Sequence, residues 1–398
     1  MLNRVFLVQR LLIEATLEKG GRVLYAVPTA QLASRMREKF GRRIDIETCH
    51  AAFGNPNDLI PRDQVMLPYA LVLIDEVYQL NEEFFRHVAH IHTSSDRVAA
   101  VVLAGDKYQM GCPKGRPLFE SNLFRKSVFI TKLVQDPDVI QRCTDPVHQK
   151  MLNTLRISKP PARGGKGVTV AMICRNHKAW SGDRPTAEEV KRLMDNFPET
   201  TTLAVSRKGT FEFNELALQA LFPRREPLAC LDGDIESNPA NYDGGALLRD
   251  HTKLKSYPLR IYMGMRVYLT RNVIKGIDYV NGMLAIVEGY NEETRALRVL
   301  TNTGHHIELW RWTDRELSNR SYYPVRPGYC STIIKFQGAE LKHVTLNLDT
   351  PGIPGAAYTA LSRVATSKQY LIGGNVNPHH FTPVRAGLYK EDPESAVP

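Results

Sequence analysis

The segment ALVLIDEV (70–77) is an apolar run that ends abruptly in two carboxylates, Asp75 and Glu76. A run this short, without alternation, reads as a strand buried on both faces. Two similar runs flank it, RVLYAVPT (22–29) before and VAAVVLAGD (98–106) after. Residues 30–40 carry helical spacing, as do Phe6, Leu7, Leu11, Leu12 and Ala15 until Gly20-Gly21 stops the pattern. Strands alternating with helices predict a parallel α/β sheet. Ligands bind such sheets at the carboxyl edge of the strands. Asp75-Glu76 and Gly105-Asp106 fall at that edge.

A second α/β unit follows. SKPPARGGKG (158–167) reads as an exposed linker, and TTLAVSRKGTFEFNELALQAL (201–221) as a strand and then a helix. RIYMGMRVYL (260–269), AIVEGY (285–290), ALRVLT (296–301) and HHIELWRW (305–312) are closely spaced strands of a small β module. YCSTIIKF, HVTLNL and AAYTALSRV then resume the α/β pattern, so a β insert interrupts the second unit.

With 398 residues the chain has room for two or three domains. Lysine plus arginine (52) exceed aspartate plus glutamate (42), a net charge of +10 that favours a polyanionic partner such as nucleic acid. A basic protein with no such partner is the alternative. Cys49, Cys112, Cys143, Cys174, Cys230 and Cys330 form no C-x-x-C pair, which points away from a zinc site and a disulfide framework and towards a reduced compartment. His87, His90 and His92 lack a completing ligand and read as a solvated helix face. No apolar run is long enough to cross a membrane. The opening MLNRVFLVQRLLIEATLEKG could pass for a mitochondrial targeting segment, but Glu14 and Glu18 favour a plain helix.

A strand ending in Asp-Glu suits a nucleotide hydrolase: Asp75 can hold a magnesium ion through water, and Glu76 can polarise the attacking water. Such pairs also cap helices, and both readings stand here. VVLAGDKYQM (101–110) adds Gln109, three residues after Asp106 and within reach of a γ-phosphate. Alternatively, Gln109 is a turn residue and Asp106 an N-cap.

Taken in order, these features resemble superfamily 1 DNA helicases of the petite-integration-frequency type and the helicase ends of Helitron transposons. VPTAQLASRM (27–36) resembles A-P-T-G-x-A-A, with Ala30 at the glycine. IETCHAAFG (46–54) resembles T-x-H-s-x-x-G. QRCTDPVHQKMLNTLR (141–156) resembles R-Q-x-D-P-x-F-x-x-L-L-N-x-I-R, and GMRVYLTRNV with VNGMLAIVEGY (264–290) resembles the start of the inserted barrel. STIIKFQGAEL (331–341) resembles T-I-H-K-S-Q-G-x-T, with Ile334 for His and Phe336 for Ser. GAAYTALSRV (355–364) follows G-x-x-Y-V-A-L-S-R almost throughout.

The resemblance implies two RecA-like parallel-sheet P-loop NTPase domains with an inserted SH3-like β-barrel. The first would be 1–157, the second 168–258 with 322–385, the insert 259–321 and the tail 386–398. It implies an ATP-dependent DNA helicase moving 5′ to 3′, with ATP and Mg2+ as cofactors. Single-stranded or forked DNA would be the partner of a monomeric motor without membrane contact. Location would be nuclear or mitochondrial in a eukaryote, otherwise cytoplasmic, and not secreted. Asp75, Glu76, Gln109, Arg142 and Arg363 would be catalytic, with Asp75 on the metal and both arginines on phosphate. Arg363 in a helix-face salt bridge is the blander alternative. Gln337 and Gly338 would lie beside the nucleotide. Pro28, Thr29, Thr48, His50, Thr332 and Lys335 would line a strand track, and Phe53 would either stack on a base or fill the core.

One part of the pattern departs. The family's Gly-x-x-x-x-Gly-Lys-Ser/Thr loop directly precedes the helix that FLVQRLL (6–12) resembles, whereas here Arg4 falls at the lysine and Val5 at the hydroxyl. RGGKG (163–167) lacks both the spacing and the hydroxyl. The expectation is a truncated or degraded copy with impaired ATPase. A catalytically silent single-strand-binding module is the alternative. An RNA-virus-type helicase or nucleotide-dependent scaffold is a third reading, disfavoured by GAAYTALSR and the β insert.

Overall fold

The computed structural model describes residues 4–56, 64–94, 99–112, 115–126, 143–175, 177–243, 246–277 and 279–384. The first unit runs α1 (Arg4–Glu18), β1 (Val23–Val27), α2 (Ala30–Phe40), β2 (Asp45–Thr48), α3 (Cys49–Phe53), β3 (Leu71–Ile74), α4 (Glu82–Thr93) and β4 (Ala100–Leu103). The four strands form one parallel sheet in the order β2-β1-β3-β4. The two central strands, β1 and β3, are apolar throughout because both their faces are covered, whereas the edge strand β2 carries Asp45, Glu47 and Thr48. From β1, Val23, Tyr25 and Val27 pack with Ile13 of α1 and with Leu32, Met36 and Phe40 of α2. Leu24 and Ala26 face the other way, onto Phe53, Phe84, Phe85 and Val88.

The second unit is also a parallel sheet. Its strands, in spatial order, are Cys330–Thr332, Thr200–Ala204, His343–Asn347, Tyr370–Gly373 and Lys178–Trp180. Helices Ala187–Asn196 and Arg207–Leu221 contribute Val190, Leu193, Phe213 and Ala217 to the core on one face, which is continuous with that of the β insert. The other face packs on helix Ala356–Leu361 and on Met151, Leu152 and Leu155 of helix Pro146–Ile157. The expected β module is a five-stranded antiparallel sheet: His306–Leu309, Ala296–Thr301, Leu284–Asn291, Arg266–Leu269 and Val325–Pro327. Its fifth strand comes from beyond residue 321. The expected tail, 386–398, lies outside the described residues.

The carboxyl edge of the second sheet is fixed by one acid. Asp349 accepts hydrogen bonds from the Val205 and Ser206 amides at 2.8 and 3.2 Å and from the Ser206 hydroxyl. Ser206 in turn caps Gly209 at the start of helix Arg207–Leu221. A Cβ on Gly209 would stand 2.4 Å from Asp349 Oδ2, so the carboxylate fits only against glycine. Loosening the Ser206 N-cap that Asp349 holds costs about 0.5–2 kcal/mol. Asp349→Ala should therefore lower unfolding stability in urea by about that amount.

Candidate nucleotide and strand-binding cleft

Asp75 follows β3 directly, at the carboxyl edge. Its Oδ2 accepts the Tyr25 hydroxyl at 2.8 Å and its Oδ1 accepts the Glu76 amide at 2.9 Å. Gln9 of α1 lies against the same hydroxyl at 3.0 Å, and its buried Nε2 has no partner. Burial raises the Asp75 carboxyl above its ordinary range, an effect partly opposed by these hydrogen bonds. Asp75 has no ion-pair partner among the described residues. Glu76 takes a left-handed conformation (φ 51°), which turns its chain towards the second unit. A Cβ on Gly338 would lie 3.4 Å from Glu76 Oε1. Two adjacent carboxylates offer the hard oxygen donors that magnesium takes; the unpartnered Gln9 Nε2 is an N–H group and is not a metal ligand.

From the other side comes Arg363, only 2% exposed. Its guanidinium donates to Gln109 Oε1 at 3.1 Å, to the Thr359 carbonyl at 2.9 Å and to the Ser362 hydroxyl at 2.8 Å. Gln109 belongs to the turn after β4 and Arg363 follows helix Ala356–Leu361, so this bond crosses between the two units. Three others accompany it. Tyr358 donates to Asp106 Oδ2 at 2.7 Å, the Met110 amide donates to Thr359 Oγ1 at 2.8 Å, and Gln337 Nε2 donates to the Met110 carbonyl. Gly355 permits the approach: its φ is +75°, and a Cβ there would meet the Met110 amide nitrogen at 3.0 Å.

Glu76, next to Asp75 in the chain, thus faces Gly338, while Gln109, Gln337 and Arg363 meet at the seam between the two units. Gln109 is both the expected turn residue and a cross-unit contact. Arg142 and the side chain of Arg4 lie outside the described residues.

The track residues divide between the two sheets. Pro28, Thr29, Thr48 and His50 sit at the carboxyl edge of the first, where Val27 pairs with Thr48. Thr29 and Thr48 cap α2 and α3 by accepting from the Leu32 and Ala51 amides, which leaves each hydroxyl proton able to donate to a phosphate. His50 is exposed, with its ring 4.6 Å from that of Phe84. Thr332 and Lys335 sit at the corresponding edge of the second sheet.

Two expectations are corrected. Phe53 does not stack on a base: it is fully buried between Phe85 and the sheet. The α4 histidines are not simply a solvated face, because His87 and His92 bind the carbonyls of Phe53 and Ala99 at 2.9 and 3.1 Å. Sequence reading also missed Tyr25, Gln9 and Tyr358. The available signal was a tyrosine inside a buried strand, whose hydroxyl must find a partner.

The chain thus holds two α/β units of parallel strands, an antiparallel insert in the second and a polar seam where the two units meet. No family model matches the chain. Mouse ATP-dependent DNA helicase PIF1 is 31% identical over 145 residues, 34% of this chain and 22% of that protein. The human protein of the same name is 32% identical over 112 residues, covering 26% and 18%. The matches thus span only a minor part of these curated relatives. Among solved structures, Bacteroides Pif1 bound to ssDNA superimposes with a TM-score of 0.62 at 19% identity, over 95% of this chain and 88% of that one. Pif1 helicase from Candida albicans gives 0.62 at 17% identity, over 98% of both. The fold is that of the Pif1 helicases, and Pif1-type helicases are homologues of this chain.

Phe53→Ala should lower unfolding stability by about 3–5 kcal/mol, as large-to-small core changes do, measured by chemical denaturation. Asp75 gives a pH signature. With its carboxyl raised by burial, the native state holds the proton more tightly than the unfolded chain. The resulting stability is present below the ordinary value of 3.8 and is lost as pH rises. Asp75→Asn should therefore melt above the parent at about pH 7, with an advantage that shrinks as pH falls towards about 4.

Proposed function

We propose that this chain is the motor core of an ATP-dependent DNA helicase, a monomer moving 5′ to 3′ on single-stranded or forked DNA. The observation that carries this reading is the Arg363–Gln109 bond between the two units, with Glu76 facing Gly338 on the same seam. In this reading Asp75 would hold magnesium and Glu76 would orient the attacking water. Gln337, Gly338 and Arg363 would meet the phosphates. Arg142 would supply a second cation, and Arg4 would lie at the lysine position of the phosphate loop. Magnesium-bound ATP supplies a phosphoanhydride whose hydrolysis develops charge on the γ-phosphate.

The protein's own part is electrostatic and mechanical. A buried guanidinium costs no reorganisation when that charge appears. Gln109 shares a turn with Asp106 and Met110, both tied to the second unit, so a change at the γ-phosphate position would alter how the two units meet. The strand track would be lined by Pro28, Thr29, Thr48, His50, Thr332 and Lys335, donors that grip phosphates without reading bases. The resemblance to the DNA family supports DNA as the polymer, and roles in repair or recombination belong to the same proposal.

Residues 1–398 contain no Gly-x-x-x-x-Gly-Lys-Ser/Thr. We infer that this polypeptide by itself binds strands but turns over ATP poorly. Fluorescence anisotropy with labelled oligo-dT should show binding that weakens steeply with salt, by about 0.7 in log-log slope per phosphate contact. ATP hydrolysis, with or without oligo-dT, should stay low. Absence of strand binding would overturn the motor-core reading, and strong DNA-stimulated hydrolysis would overturn the inferred ATPase defect.

A further inference from the structure

Thr332 and Ala204 are register partners at the carboxyl ends of neighbouring parallel strands, so Lys335 and Arg207, each three residues further on, emerge side by side at one edge of the second sheet, among charged residues from three parts of the chain. Arg207 opens helix Arg207–Leu221 and is exposed. Its guanidinium carbon stands 4.1 Å from the centre of the Tyr242 ring, while the Tyr242 hydroxyl donates to the Glu236 carbonyl at 2.9 Å. Asp234, Glu236 and Asp314 are drawn to Arg271, with its guanidinium at 3.8, 2.9 and 2.9 Å. Arg326 is buried, bonded to the Cys330 carbonyl and the Ser331 hydroxyl. Asp349, beside the start of this helix, accepts hydrogen bonds from two amides and a hydroxyl and forms no ion pair with Arg207 among the described residues. Arg207 and Lys335 therefore remain without an ion pair among the described residues, and Arg207 is exposed.

Building on the strand-binding reading, we propose that Arg207, steadied on the face of Tyr242, forms with Lys335 a subsite for one backbone phosphate of a single-stranded nucleic acid. The face of an aromatic ring holds a guanidinium in place without neutralising it. Arg207 thus keeps its full charge and its donors while losing rotational freedom. A planar donor fork paired with a compact ammonium suits a phosphodiester, which offers two anionic oxygens. The electrostatics agree. Desolvation and then Arg326 push the Lys335 ammonium well below the usual lysine range; Arg207 adds to this, while Asp234 and Glu236 oppose it. A phosphate entering between Arg207 and Lys335 relieves that repulsion. Tyr242 is a positioning residue in this arrangement, acting through Arg207.

The test is a salt titration of oligo-dT binding by the full 398-residue chain. Arg207→Gln should reduce the slope of log affinity against log salt by about 0.7 and weaken binding about fivefold at about 0.1 M salt, the loss of one phosphate contact. Tyr242→Phe keeps the ring and should bind like the parent, whereas Tyr242→Leu should follow Arg207→Gln. Circular dichroism melts establish that each variant is folded. A parent slope retained in Arg207→Gln overturns the subsite and leaves the strand-binding reading standing. Equal binding by the Phe and Leu variants overturns the role of Tyr242. Failure of the parent chain to bind oligo-dT at low salt defeats the underlying reading instead.

Discussion

The bond between Gln109 and Arg363 is the contact on which the rest of the arrangement depends. A guanidinium this buried must satisfy its donors or incur a large desolvation cost. Three partners come from its own unit: the carbonyls of Thr359 and Ala339 and the hydroxyl of Ser362. The Gln109 oxygen comes from the other. The two units are therefore joined by a bond that either can break only by leaving a buried polar group unpaired. Asp106–Tyr358 and Met110–Thr359 lie on the same turn and helix, so all of these contacts are made or lost together.

The same constraint explains where chemistry can occur. Parallel strands leave their carboxyl ends facing one edge, where polar residues find room that the apolar interior denies them. Asp75, Asp106 and Thr48 end strands of the first sheet in this way, and Thr332 and Asp349 those of the second. The acids at these edges do different work. Asp349 is taken up by a helix cap, and Asp106 by a turn and a tyrosine. Asp75 is left with one hydroxyl and one amide. That difference in partners is what makes Asp75, in the proposed reading, the carboxylate that would take a cation.

Much of the fold was legible because burial on both faces writes itself into a sequence as unbroken apolar runs. RVLYAVPT and ALVLIDEV could hardly be anything but central parallel strands. The insert was legible from strand spacing, yet its last strand was not, because Val325–Pro327 is short and lies just before the motif that dominates its neighbourhood. The site was legible only along the chain. Asp75, Gln109 and Arg363 stand out in their own motifs, but nothing local says that Gln109 meets Arg363, or that Tyr25 reaches Asp75 from the neighbouring strand. Phe53 shows the converse. An aromatic within a strand-binding motif invites a stacking role, and only packing against Phe85 shows that the core claims it.

Tyr25 and Tyr242 make one further physical point. Each places an aromatic ring or its hydroxyl beside a charged residue that the resemblance to helicases would not have paired with it. Tyr25 donates to Asp75 and so favours the ionised carboxylate against the burial that disfavours it. Tyr242 offers a π face to Arg207 and leaves its charge intact. In both cases a tyrosine orients a charge without cancelling it. An opposite charge in either place would have given a stable ion pair and no capacity to bind. In the proposed reading these tyrosines would hold each charged group in place while leaving it free to meet a ligand.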